Sequence, residues 1–122
     1  MRADLEIIQE WIPAGSRVLD LGCGDGDLLD WLRTHKQVSG YGLEIDPAHI
    51  ANCLDKGVNV IEQDLDQGLS NFASNSFDVV VMTQSLQALR YPDKVLREML
   101  RVGRTCIITF PNFAHWRCRW YL

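Results

Sequence analysis

The chain predicts an α/β domain built around a mostly parallel sheet. Three observations carry that reading. Short apolar runs alternate with amphipathic stretches along the whole length. The first run breaks directly into a glycine turn, Gly22-Cys23-Gly24-Asp25-Gly26. The run at 79–82 is unbroken Val-Val-Val-Met, as expected of a central parallel strand covered on both faces. A length of 122 residues fits one domain, and 47% hydrophobic with 23% charged residues is the balance of a chain that folds around a core.

The elements follow in order. Residues 3–12 place Leu5, Ile8 and Ile12 or Trp11 at helical spacing before Pro13-Ala14-Gly15 stops them. Arg17–Leu21 is the first strand, and Asp27–Lys36 the next helix, with Leu28, Leu29 and Leu32 inward. Residues 39–45 form the second strand. Asp46-Pro47 then opens a helix: Asp46 can cap it, and Pro47 suits a first helical position whose N–H has no partner anyway. That helix runs to about Lys56 and stops at Gly57, and 59–63 is the third strand. The polar stretch 65–76 is a loop with room for one helical turn. Phe77–Thr83 is the fourth strand, Pro92–Val102 a helix stopped by Gly103, and 105–110 the fifth strand. In such sheets ligands bind beyond the carboxyl ends of the strands, where strand order reverses.

That places a nucleotide-type site at the glycine turn. Glycines admit a ligand close to the backbone, and the following helix offers free N–H groups. The spacing is G-x-G-x-G, with Asp27 where the third glycine of a dinucleotide fingerprint would fall, and no G-K-[ST] of a P-loop occurs. Asp20, Asp25 and Asp27 surround the turn. Unit charges ~4 Å apart at an effective dielectric of ~20 interact by about 4 kcal/mol, so three carboxylates disfavour a pyrophosphate and favour a sulfonium or ammonium. S-adenosylmethionine carries both cations and no phosphate, and is selected over NAD or ATP. Glu44, 22 residues after Gly22 and next to Ile45, can accept two hydrogen bonds from ribose hydroxyls, or can be a solvated strand-end acid. Asp64 can meet an adenine amino group with Leu65 against the purine, or simply start a turn.

Other classes are disfavoured. The four cysteines (Cys23, Cys53, Cys106, Cys118) form no C-x-x-C and read as reduced thiols of a cytoplasmic chain. His35, His49 and His115 share no ligand spacing, so no metal is expected. No apolar stretch approaches the ~18 residues of a membrane span. Residues 1–70 hold thirteen acids and five bases, and 71–122 hold three acids and seven bases, for the net −4. Net negative charge argues against a nucleic-acid partner.

The motifs Asp20-Leu21-Gly22-Cys23-Gly24-Asp25-Gly26, Gly42-Leu43-Glu44, Gln63-Asp64 and Phe77-Asp78-Val79-Val80-Val81 resemble those of class I S-adenosylmethionine-dependent methyltransferases. The resemblance implies a doubly wound Rossmann-like fold with sheet order 3-2-1-4-5. It also implies that Asp20, Gly22, Cys23 and Gly24 hold the methionine part of S-adenosylmethionine or S-adenosylhomocysteine, with Met82 and Thr83 lining that end. Glu44 with Ile45 would take the ribose, and Asp64 with Leu65 the adenine. More narrowly, WIPAGSRVLDLGCGDGDLLDWL, GLEIDPAHIANCLDKGVNVIEQDLDQGL and FPNFAHWRCRWYL are similar to the MetW family. That likeness implies a role in methionine biosynthesis as partner of a homoserine O-acyltransferase.

Catalysis is less legible. Many small-molecule methyltransferases of this superfamily carry L-E-H or L-H-H after the fourth strand, whereas this chain has Leu86-Gln87-Ala88, with no base. His115 remains as a candidate base, and no catalytic residue is assigned. The alternative to an accessory binding protein is an active small-molecule methyltransferase, and a third reading is an NAD-binding domain. The resemblance implies two further strands after the fifth, so the domain is expected to be truncated, leaving an apolar edge at Cys106–Phe110 covered by a tail, a second copy or the partner. The segment 112–122, with Phe113, Trp116, Trp120, Tyr121, Arg117 and Arg119, reads as a helix packing Trp116 and Trp120 onto the sheet, as a protein contact, or, least of the three, as a surface for stacked nucleic acid.

Overall fold

A computed structural model describes residues 3–83, 86–109 and 115–119, the last as backbone only. The elements are α1 (Ala3–Gln9), β1 (Arg17–Leu21), α2 (Asp27–Lys36), β2 (Ser39–Glu44), α3 (Pro47–Lys56), β3 (Val60–Glu62), β4 (Phe77–Thr83), α4 (Pro92–Val102), β5 (Gly103–Thr109) and β6 (His115–Arg119). Short 3-10 turns lie at Leu65–Gln67 and Leu86–Ala88. The sheet order is β3-β2-β1-β4-β5-β6, with the first five strands parallel and β6 antiparallel to β5.

Strand periodicity divides the core into two layers. Val18, Val79, Val81 and Ile107 point to one face and meet Leu5, Ile8 and Ile12 of the N-terminal segment, Leu28, Leu29 and Leu32 of α2, and Cys53 of α3. Leu19, Leu21, Val80, Met82 and Cys106 point to the other and meet Val95, Met99 and Val102 of α4. Both faces being covered is why β4 reads as an unbroken apolar run over 79–82. Asp20 follows the parity of Val18 and sits on the α1–α3 side, 1% exposed.

Several boundaries differ from the sequence reading. The helix expected over 3–12 ends at Gln9, and its last turn tightens through bonds from Trp11 N–H to the Ile8 carbonyl (2.9 Å) and Ile12 N–H to the Gln9 carbonyl (3.3 Å). The third strand is only three residues long, being an edge strand that pairs on one side alone. β5 starts at Gly103 rather than 105, because Gly103 already pairs with Phe77 and a side chain there would collide with Val80.

The largest correction is at the sheet edge. The fifth strand is not left open, because residues 115–119 form β6 and not a helix, in register from Thr105↔Arg119 to Thr109↔His115. Pairing with the exposed N–H and C=O row of β5 outweighs the i,i+4 spacing of two tryptophans. Phe110, Phe113, Trp120 and Tyr121 lie outside the described residues.

Candidate functional site

The glycine turn begins where β1 leaves the sheet. Gly22, Gly24 and Gly26 take φ of +73°, +58° and +82°, a left-handed backbone that L side chains rarely adopt. The turn lies so close over β2 that a Cβ on Gly42 would collide with Cys23. The N–H groups of Gly22 and Cys23 both donate to the Leu43 carbonyl, at 2.8 and 3.0 Å, which ties the turn to the end of β2.

Glu44 completes that tie. One carboxylate oxygen accepts from the Gly24 N–H at 2.8 Å, and the other from the Ile45 and Asp46 N–H groups at 3.0 Å each. The sequence reading offered Glu44 as a ribose ligand or a solvated strand-end acid, whereas the structure makes it the clasp between two loops. Asp46 caps α3 as expected, accepting from the Ala48 N–H at 2.9 Å.

Two hollows open at the carboxyl ends of the strands and share Gly22. One, of about 300 Å³, is lined by Asp20, Cys23, Gly24, Asp25, Asp27 and Thr83, with Leu5 and Leu28 as its apolar wall. The other, of about 240 Å³, is lined by Glu44, Ile45, Asp64 and Leu65, with Ala88 and Leu89 opposite. Asp20 and Glu44 therefore flank one cleft that spans the ends of β1, β2 and β4. Nine of the ten expected site residues line it. The exception is Met82, whose side chain faces the α4 layer and is fully buried, because its strand parity is opposite to that of Val81 and Thr83.

Asp64 combines both readings offered for it: it lines the second hollow, and its carboxylate accepts from the Asp66 N–H at 3.0 Å to start the 3-10 turn. Asp66 in turn accepts from the Arg90 N–H (3.0 and 3.1 Å) and the Tyr91 N–H (3.0 Å). That holds the Leu86–Ala88 turn and Leu89 against the cleft, so the stretch that lacks a base acts as an apolar wall.

The charge count needs correction. Asp25 and Asp27 do not stand as bare carboxylates, because α3 covers the back of the turn. Asp25 accepts from His49 Nδ1 at 2.7 Å and Asn52 Nδ2 at 2.9 Å, and Asp27 is paired with Lys56 Nζ at 2.6 Å. Lys56 also donates to the Asp25 carbonyl at 2.8 Å, and the Cys53 thiol to the Gly24 carbonyl at 3.1 Å. The Asn52 and His49 bonds hold the Asp25 carboxyl below its ordinary value. The Asp25 bond raises His49, and the Asp27 bond raises Lys56. Burial pushes the Cys23 thiol far up, reinforced by Asp20, and burial also raises Cys53. Both thiols stay protonated although their sulfurs lie 3.8 Å apart. His49, Asn52, Cys53 and Lys56 were missed as site residues. Their spacing i, i+3, i+4, i+7 was the available signal, one helical stripe carrying three polar side chains.

The family model of methionine biosynthesis protein MetW matches residues 2–122. This chain belongs to the MetW family. A bifunctional methionine biosynthesis protein MetXA/MetW of Rhodopirellula baltica is 42% identical over 98% of the chain, which spans 20% of that protein. Among solved structures, an S-adenosylmethionine-dependent methyltransferase of Archaeoglobus fulgidus superposes with a TM-score of 0.80 at 24% identity, over 90% of this chain and 51% of that one. The [4+2]-cyclase SpnF superposes at 0.77 with 24% identity, over 87% of this chain and 43% of that one. Identities this low establish the shared methyltransferase fold alone, and one fold hosts different chemistries. This MetW domain spans about half the length of these solved neighbours. No helix among its described residues is long and apolar enough to cross a membrane.

Proposed function

We propose that this MetW domain binds S-adenosylmethionine or S-adenosylhomocysteine in the cleft at the strand ends, and serves methionine biosynthesis as the partner of a homoserine O-acyltransferase. The observation that carries the reading is the pair of hollows joined at Gly22, with buried Asp20 on one side and Glu44 on the other. The residues suit the group. No protein atom lies within 4 Å of where a Gly24 Cβ would be, so the turn presents bare backbone to the cleft. Asp20 suits the cationic amino-acid end, Glu44 the ribose hydroxyls, and the Ile45–Leu65–Leu89 wall the purine face. When bound, S-adenosylmethionine supplies an electrophilic methyl group on a sulfonium.

What this chain's residues offer is binding and orientation. The titratable groups lining the first hollow are carboxylates and a thiol held protonated, and the Leu86–Ala88 turn carries no acid or base. These groups support the cofactor-binding accessory reading. The partnership is supported by the Rhodopirellula relative, in which a MetW unit is covalently joined to MetXA.

Two measurements test the reading separately. Calorimetry with S-adenosylmethionine should give a saturable one-to-one isotherm that Asp20→Asn weakens, and a flat titration would remove the cofactor claim. Affinity purification from cells expressing both proteins should recover a homoserine O-acyltransferase, and its repeated absence would remove the partnership. Transfer of labelled methyl to a metabolite would favour the methyltransferase instead.

A further inference from the structure

We propose that His49, Asn52 and Lys56 are positioning residues: one stripe of α3 holds the glycine turn in its binding conformation from behind and, through the His49–Asp25 contact, makes nucleoside affinity depend on pH. The inference rests on the cofactor reading above.

The geometry is specific. The turn's front faces the cleft, and its back is held by side chains of a single helix at positions i, i+3, i+4 and i+7. These contacts reach both the side chain and the carbonyl of Asp25, the carbonyl of Gly24 and the side chain of Asp27. They brace a turn that holds three left-handed glycines, Gly22, Gly24 and Gly26, residues of high conformational freedom. A segment of that kind populates its binding-competent shape only in part, and apparent affinity falls with that fraction. α3 is itself anchored, by the Asp46 cap at its start and buried Cys53 in its middle.

The proton enters at His49. Its imidazole faces Asp25 on the turn at 2.7 Å, Asp46 at the start of its own helix at 3.8 Å, and Glu44 at the end of β2. Lys56 and Asn52 act on the same Asp25 from the same helix. The charged groups that face His49 among the described residues are carboxylates, so protonation strengthens the contact, and deprotonation leaves a hydrogen bond from a neutral imidazole to the Asp25 carboxylate without the ion-pair attraction. Loosening the turn weakens binding. Two effects must be separated for the sulfonium ligand, since a deprotonated His49 also leaves the cleft more negative. S-adenosylhomocysteine lacks the sulfonium charge and reports the positioning alone.

The test is calorimetry of S-adenosylhomocysteine against wild type, His49→Gln, Asn52→Ala, Lys56→Met and Lys56→Arg, between about pH 6 and 8.5. Asn52→Ala and Lys56→Met should each weaken binding about three- to tenfold, with Lys56→Arg restoring most of it. Wild-type affinity should fall severalfold more across the pH range than that of His49→Gln. A purely structural role would lower thermal stability without a differing pH profile. Variants that bind like wild type, or a His49→Gln profile parallel to wild type, overturn the proposal while leaving the cofactor reading intact. Failure of wild type itself to bind overturns both.

Discussion

At the scale of single residues, Glu44 and His49 carry the most informative consequences. Glu44→Ala leaves the N–H groups of Gly24, Ile45 and Asp46 without their acceptor, and Glu44→Gln turns an amide N–H toward at least one of them. Either change should destabilise the fold by about 1–3 kcal/mol in urea unfolding and weaken nucleoside binding as well, because one side chain serves both. His49 has a defined sign. Its folded pKa lies above the ordinary 6.5, so its contribution is complete below that value and is lost as pH rises through the folded pKa. Asp25, held below its ordinary 3.8, contributes above that value and loses it as pH falls through the folded pKa. The pair therefore stabilises most between those limits. NMR titration should place His49 above its ordinary value, and Asp25→Asn should bring it back, whereas an unshifted His49 would show that the contact does not form in solution.

At the scale of elements, β2, the glycine turn and α3 form one unit. Gly42 is small because Cys23 lies directly over it. Gly42→Ala must lift the turn or bend the strand, which should lower stability by about 1–3 kcal/mol and reduce binding even though residue 42 contributes no polar group to the cleft. Unchanged binding in a folded Gly42→Ala protein would mean that the turn can shift freely. The turn and its helix were legible in sequence because they rest on local rules: glycines for left-handed backbone, and Asp46-Pro47 for a helix start. The pairing of Asp25 and Asp27 with α3 was not, because residues 24 to 31 apart meet only once β2, which leads into α3, lies beside β1 in the sheet. A charge count along the chain treats those acids as bare, and only tertiary contact shows them neutralised. The Met82 side chain faces away from the cleft for a related reason: two successive residues at a strand end face opposite layers, and the motif named both.

At the scale of the molecule, the alternation of strands and helices made a mostly parallel α/β sheet readable, and the order 3-2-1-4-5 was implied by the motif likeness. The sixth strand was not. Its segment carries tryptophans at helical spacing, and what decides its conformation is the open β5 edge, a non-local demand. A chain ended before His115 should lose the Ile107↔Arg117 pairing and its neighbours, and should associate at lower concentration than the full chain by sedimentation velocity. Equal behaviour of the two chains would show that β6 does not protect the sheet.

A crystal structure with S-adenosylhomocysteine soaked in is the most direct check on the central claim. The expected density has the ribose hydroxyls on Glu44, the purine between Ile45 and Leu65, and the amino-acid end running past Gly22 toward Asp20. Density for the nucleoside elsewhere on the surface, or a pyrophosphate compound settled against Gly22–Gly24 in preference to it, would contradict the account.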